Sequence, residues 1–149
     1  MVGCGSRNAR MGPPDLPVRY HNVQYDFDFF LPASWHGYSV VTQQWGKNRG
    51  VAENGPMLVL RHPRWTASDP YQDIPVLVFT RGQWDALHHG KLWPSVYAGG
   101  VMDEMLHNQK YVLGISSRYN ANDSVKGWKE ATGIVERNRA ANGLLLYPE

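Results

Sequence analysis

The chain has 149 residues, enough for one domain with a sizeable core, and its 42% hydrophobic and 12% aromatic content excludes wholesale disorder. The formal net charge of +2 is nearly balanced, and the basic residues form no stripe, so the sequence argues against a nucleic-acid partner. No run approaches the roughly 18 apolar residues that a membrane span requires.

The single cysteine, Cys4, lies near the N-terminus, so the chain forms no internal disulfide. The opening residues Met-Val-Gly-Cys match the bacterial lipobox, in which the cysteine receives lipid, although no charged and apolar signal regions precede them. We expect residues 1–19 to be a flexible tether. Cys4 is then either a lipidation site, if the reading frame extends upstream, or a chance cysteine in a cytosolic terminus.

Short runs of apolar residues predict a series of strands. Aromatic and acidic residues alternate from Tyr25 to Phe29, which is the pattern of a half-buried strand. A turn after this strand is expected to place Trp35 on the core. The later runs are bounded by Pro, Gly or polar loops, and Pro75 is expected to open the fourth strand. The predicted strands cover residues 25–29, 38–45, 57–60, 76–79 and 111–115.

Helical spacing predicts two short helices after the fourth strand. The first begins with a capping box, Thr80 with Gln83 three residues later, and Gly90 is its expected C-cap. In the second, apolar residues recur at helical spacing over residues 101–106.

A longer helix is predicted near the C-terminus, capped by Asp123 or Ser124 and ended by residues 142–143. Lys126 and Glu130 are expected to form an i,i+4 pair on it. The order strand, hairpin, strand, helix, short helix, strand, long helix predicts an α+β fold, with helices packed on a mainly antiparallel sheet. Residues 20–149 are expected to form this single domain.

The segment 20–35, YHNVQYDFDFFLPASW, resembles the opening of PsbP-like (Mog-type) domains, which have an aromatic residue, an Asn, a Phe-x-Phe strand, a Pro and a Trp in this order. The resemblance implies an α/β/α sandwich around an antiparallel sheet. It also implies a bacterial, extracytoplasmic lipoprotein that binds or assembles other molecules without catalysis. The resemblance lies within the N-terminal third of the domain, and no functional residue is carried over from it.

The connection between the third and fourth strands is the main candidate for a ligand site. A connection of this length is usually functional or packed by its own side chains. Its arginines predict a corner that binds carboxylate or phosphate, unless they satisfy the loop's own carbonyls and carboxylates. Tryptophans in this loop and in a later one are candidates for an exposed binding platform. The candidate residues are Arg61, His62, Arg64, Trp65, Asp69, Tyr71, Asp73 and Trp93.

The sequence contains no recognisable catalytic, metal-binding or cofactor-binding motif. It has no Gly-x-Ser-x-Gly elbow, no P-loop and no dinucleotide fingerprint. The adjacent His88 and His89 diverge by about 100° on a helix, so both do not easily reach one ion. His107 and the neighbouring acids have no metal-ligand spacing. We therefore predict no metal and no cofactor.

Three hypotheses remain for the function. The first is a non-catalytic binding or assembly module of the cell envelope, tethered through Cys4, whose partner is a protein or a small ligand and whose membrane contact is only through the lipid. The second is a small hydrolase or metal-dependent enzyme that uses His62 with Asp69 or Asp73. The third is a cytosolic interaction domain that uses Trp65 and Trp93.

Overall fold

The structure is a computed structural model that describes residues 16–46, 54–89, 102–117, 119 and 124–146, with side chains up to residue 141. The elements in these ranges are β1 (Val18–Asn22), β2 (Phe27–Leu31), β3 (Ser39–Trp45), β4 (Gly55–Arg61), β5 (Ile74–Thr80), α1 (Arg81–His88), β6 (Met102–His107), β7 (Tyr111–Ser116) and α2 (Trp128–Leu146). A 3-10 helix, Ala33–Trp35, connects β2 to β3 and buries Trp35, as predicted.

The strands form two antiparallel sheets. β1 and β2 pair as a hairpin, and the other five strands lie in the order β3-β4-β5-β7-β6. Every neighbouring pair in the larger sheet is antiparallel, including β3 with β4 as predicted. The α+β prediction, with helices packed on an antiparallel sheet, is therefore confirmed.

The five-stranded sheet is covered on both faces. Along β5 every residue from Ile74 to Phe79 is buried, and the side chains alternate between two apolar clusters. The larger cluster receives Val76 and Val78 and is covered by α2 and the β1–β2 hairpin. The smaller cluster receives Leu77 and Phe79 and is covered by α1. The two helices thus lie on opposite faces of the sheet.

The β1–β2 hairpin differs from the predicted N-terminal organisation. Val18 and Arg19 belong to β1, although both were predicted to lie in the tether. The following strand begins at Phe27 rather than Tyr25, because Asp26 has a φ of 58° and so ends the turn in the left-handed region. Residues 1–15, with Cys4, lie outside the described part of the chain.

The prediction of a short helix over residues 101–106 is wrong, because Met102–His107 is strand β6. Its pairing with β7 shifts register between Glu104 and Leu106, which marks a β-bulge. The bulge places Met105 and Leu106 together in the larger cluster, whereas Met102 lies in the smaller one. A strand with a bulge can thus have apolar residues at i, i+3 and i+4. The sequence alone does not distinguish such a strand from a helix.

Helix α1 confirms its predicted start. Thr80 Oγ1 accepts a hydrogen bond from the Gln83 N–H, and the Gln83 side chain accepts one from the Thr80 N–H, which completes the capping box. Trp84 and Leu87 pack on the smaller cluster. The helix ends at His88, and the expected C-cap Gly90 lies outside the described residues.

Helix α2 begins and ends later than predicted. It starts at Trp128, so Ser124 is not its N-cap, and Asp123 is outside the described residues. Gly127 precedes it with a φ of 82°, a left-handed conformation suited to glycine. Lys126 therefore lies before the helix and forms no i,i+4 pair with Glu130. The helix also continues to Leu146, past the predicted end at residues 142–143.

Asn138 joins α2 to the hairpin. Its side chain accepts a hydrogen bond from the Phe30 N–H and donates to the carbonyls of Phe30 and Ile134, each at 2.8 Å. Asn138 is only 3% exposed, so these bonds satisfy a buried amide.

Gly55 allows its backbone to lie close to a tryptophan side chain in the sheet. It pairs with Trp45, and a Cβ at Gly55 would lie 2.7 Å from Trp45 Nε1. That indole donates to the Val78 carbonyl at 2.8 Å and is stacked on Phe79, so it does not move easily.

Gly55→Ala is expected to lower the free energy of unfolding by about 1–3 kcal/mol, because the added methyl overpacks the core. Denaturant unfolding followed by tryptophan fluorescence measures the loss. Gly82→Ala in α1 is the matched control, since a Cβ there meets no heavy atom within 4 Å. The control should gain about 0.4–1 kcal/mol. Equal effects of the two substitutions would contradict the expected clash with Trp45.

Candidate functional site

The β4–β5 connection, residues 61–73, forms a corner against the segment that enters α2. The Gln72 N–H donates to the Lys126 carbonyl at 2.8 Å, and Tyr71 and Lys126 form a parallel β-bridge. These contacts bring Lys126 and Glu130 beside the loop. We call residues 61–73 with these two side chains the β4–β5 corner. Of the predicted site residues, all in the loop lie in this corner, and Trp93 is outside the described residues.

Arg61 and Asp73 form the first ion pair of the corner. The guanidinium is bidentate, with Nε donating to Oδ1 at 3.0 Å and a terminal nitrogen donating to Oδ2 at 2.8 Å. Both side chains are about three-quarters buried, so the pair is partly shielded from water. Arg61 also covers one face of Trp65, with its guanidinium carbon 3.7 Å from the ring centroid. Trp65 is therefore packed within the corner on that face.

Lys126 and Asp69 form the second ion pair. The Lys126 ammonium contacts the Asp69 carboxylate and lies 4.8 Å from the centroid of the Tyr71 ring. Asp69 is held in turn by Thr66, whose side chain accepts a hydrogen bond from the Asp69 N–H at 3.0 Å. This pair is well exposed, so it orders the loop more than it stabilises the fold.

His62 is the buried polar centre of the corner, with 8% of its surface exposed. Its ring stacks on Tyr71 with centroids 4.1 Å apart, and it meets Trp35 edge-on at 5.2 Å. Nδ1 accepts a hydrogen bond from the Arg64 N–H at 3.0 Å. The proton of the neutral imidazole is therefore on Nε2, which lies 4.0 Å from Glu130 Oε1.

Glu130 is the carboxylate that faces His62, and other groups already hold it. The Ser34 hydroxyl donates to one of its oxygens at 2.7 Å, and the Trp35 indole donates to the other at 3.3 Å. Burial lowers the pKa of His62 below its usual 6.5, and the Arg64 charge lowers it further, while the Glu130 charge opposes the shift. The imidazole is thus held in its neutral form near neutral pH.

This arrangement does not suit His62 as a general base. One ring nitrogen accepts a backbone N–H, the other faces Glu130, and aromatic rings contact the imidazole. A general base needs a nitrogen within hydrogen-bond reach of substrate. The carboxylates named with His62 in that hypothesis have other partners, since Asp69 pairs with Lys126 and Asp73 pairs with Arg61.

The three histidines considered above as metal ligands, His88, His89 and His107, contact groups close to them in sequence. His88 and His89 contact the carbonyls of Trp84 and Asp85 in their own helix. His107 lies 2.6 Å from the Glu104 carboxylate, three residues away. Across the described ranges, no three or more His, Cys, Asp or Glu side chains are grouped to hold a metal ion.

Arg64 is the one cation of the corner that is left exposed without a counterion. Its backbone N–H is fixed by His62, but within the described part of the chain its guanidinium makes no hydrogen bond or ion pair. It is close enough to His62 and Lys126 to influence the pKa of each. The corner therefore presents a guanidinium on an ordered backbone, beside Trp65.

The groups that come from outside the loop were not predicted as site residues: Lys126 and Glu130 of the corner, and Ser34, which donates a hydrogen bond to Glu130. They are distant in sequence from residues 61–73, and no local motif marks them. The sequence predicted that Lys126 and Glu130 pair with each other. In the structure, Lys126 pairs with Asp69, and Glu130 faces His62.

A scan against protein-family models matches no family, and searches of curated proteins and of solved structures find no match either. Neither described helix has the length and apolar character needed to cross a membrane.

The free energy of unfolding is expected to fall as the pH drops below about 6.5, where an unfolded histidine begins to take up a proton before the folded His62 does. Each unit of difference between the two pKa values is worth about 1.4 kcal/mol. His62→Asn should reduce this slope, because its side-chain oxygen replaces Nδ1 as acceptor without titrating. Denaturant unfolding measured from about pH 8 to about pH 5 gives the slope.

His89→Gln is the matched control, since it removes an exposed imidazole at the end of α1. It should leave the slope of the wild-type protein unchanged. A slope that is the same in His62→Asn as in the wild-type protein would show that His62 is not held neutral by the fold.

Proposed function

We propose that this chain is a non-catalytic binding module, and that the β4–β5 corner recognises an anionic group, a carboxylate or a phosphate, on a protein or small-molecule partner. The observation that carries the proposal is the exposed, unpaired guanidinium of Arg64 on a backbone fixed by His62. Arginine is suited to such recognition because its planar fork contacts both oxygens of a carboxylate or phosphate.

The pairing of the other charges supports this proposal. Arg61 is neutralised by Asp73, and Lys126 by Asp69, so neither needs a further anion. Arg64 retains its full charge for a ligand. The partly exposed Trp65 lies next to it in sequence and offers an apolar surface beside the charge.

The state of His62 supports the non-catalytic part of the proposal. The imidazole is buried, and both of its nitrogens face protein atoms. A hydrolase of the kind considered from the sequence would need this ring to reach a substrate. The polar groups of the corner instead organise one another around an outward-facing arginine.

Arg64→Gln is expected to weaken binding of inorganic phosphate, and of a glutamate-rich peptide, by about tenfold or more, as the loss of a charge-assisted hydrogen bond predicts. Titrations followed by amide NMR shifts at residues 61–73 measure the affinities. The free energy of unfolding should change by less than about 0.5 kcal/mol, since the side chain is exposed and unpaired.

Lys129→Gln removes the same charge from an exposed site on α2 and is the matched control. It should bind both probes as tightly as the wild-type protein does. If Arg64→Gln also binds like the wild-type protein, or if no shift occurs at residues 61–73, the corner is not an anion site.

We further propose that the module acts in the cell envelope, attached through Cys4. The lipobox-like start and the resemblance of residues 20–35 to PsbP-like domains support this location. A bacterium that expresses the natural reading frame should incorporate an alkyne-tagged fatty acid into the wild-type protein and not into Cys4→Ser. An unlabelled protein in the cytosolic fraction would instead favour the cytosolic interaction domain.

A further inference from the structure

A polar cleft lies at a different place in the fold, between the first half of α2 and the β6–β7 edge of the sheet. Its volume is about 210 Å³. The buried side chains of Ile115 and Val135 line its apolar part. The polar part is lined by Asp103 from β6, by Ser117 and Tyr119 after β7, and by Glu136 and Arg139 from α2.

Among the residues that the structure describes, the charges in this cleft are unpaired or only loosely paired. The half-buried Asp103 carboxylate makes no hydrogen bond or ion pair to any residue that the structure describes. Glu136 and Arg139 are 3.9 Å apart, at the outer limit of an ion pair, and their side chains are 67% and 37% exposed. Such a pair contributes little to stability, so the Arg139 guanidinium is available to a ligand.

We infer that the cleft binds a small zwitterion of the amino-acid class, with its ammonium group at Asp103 and its carboxylate at Arg139. The described residues that line the cleft carry both signs of charge, and their two carboxylates exceed their one guanidinium, which favours a ligand with an ammonium group. Ser117 and Tyr119 also line the cleft, and the Tyr119 hydroxyl donates a hydrogen bond to Thr132 Oγ1 at 3.5 Å.

The size of the cleft limits the ligand. At about 30 Å³ per water, it has room for roughly seven waters, and it is smaller than the 300–1,000 Å³ typical of sites for drug-sized ligands. A free amino acid therefore fits better than a peptide or a nucleotide.

This site is separate from the β4–β5 corner and does not depend on the proposed anion binding. In the described part of the chain, a hydrogen bond connects the two places, in which Gln72 Nε2 donates to the Tyr119 carbonyl at 3.2 Å. Arg64 belongs to the corner and does not line the cleft, whereas Asp103 lines the cleft and does not belong to the corner. Variants of one site therefore leave the other intact as an internal control.

The test is an amide NMR titration of the full chain with L-serine, ethanolamine and lactate. L-Serine carries both charges, ethanolamine lacks the carboxylate, and lactate lacks the ammonium group. We expect L-serine to shift the amides of Ser116, Ser117 and Thr132 at low-millimolar concentration and to bind about tenfold or more tightly than either of the other probes.

Asp103→Asn and Arg139→Gln should each weaken L-serine binding by about tenfold or more. Arg137→Gln, on the same helix but outside this cleft, is the matched control and should bind as the wild-type protein does. Arg139→Gln changes an exposed side chain, so it remains informative even if Asp103→Asn folds poorly.

Three results would overturn the inference. The first is the absence of shifts at these amides with L-serine. The second is equal binding of L-serine and ethanolamine, which would mean that Arg139 contacts no carboxylate. The third is unchanged binding in Arg139→Gln.

Discussion

The two-sided burial of strand β5 is the constraint on which the rest of the structure depends. Residues Ile74 to Phe79 are all buried, so neither face of the five-stranded sheet is left to water at its centre. At about 25 cal/mol per Å² of apolar surface, leaving either face open would cost more than the net stability of a typical domain. Helix α1 covers one face, and α2 with the β1–β2 hairpin covers the other.

The hairpin meets this constraint without joining the larger sheet. Among the described strands, its two strands pair with each other and with no strand of the larger sheet, so the backbone ladder of that sheet does not hold the hairpin. Phe27, Phe29 and Leu31 anchor it through the larger cluster. Asn138 fixes the position of the hairpin along α2, because its side-chain amide forms hydrogen bonds with both the N–H and the carbonyl of Phe30. Apolar packing therefore attaches the hairpin to the core, and the Asn138 side chain sets its position relative to α2.

The fold class could be predicted from the sequence because its signals are local. The capping box of Thr80 and Gln83 involves neighbouring residues, and so does the turn that buries Trp35. The bulge in β6 is different, since it is defined by pairing with β7 and produces a helical spacing of apolar residues. In the corner, the residue types were predicted, together with the alternative that its arginines pair with carboxylates of the loop, as Arg61 does with Asp73. The partners from outside the loop were not predicted. The groups that complete it, Lys126 and Glu130, come from a segment whose approach depends on the tertiary fold.

The neutrality of His62 explains how the corner orients Arg64. A neutral ring accepts the Arg64 N–H at Nδ1, whereas a protonated ring would set two donors against each other. Burial keeps the ring neutral, and stacking on Tyr71 keeps it in place. The same burial keeps the imidazole out of reach of a substrate. It also fixes the Arg64 backbone, from which the guanidinium extends. An ordered backbone lowers the entropy that is lost when its side chain binds a ligand. His62 is unsuited to catalysis, but by ordering this backbone it improves the corner as a binding surface.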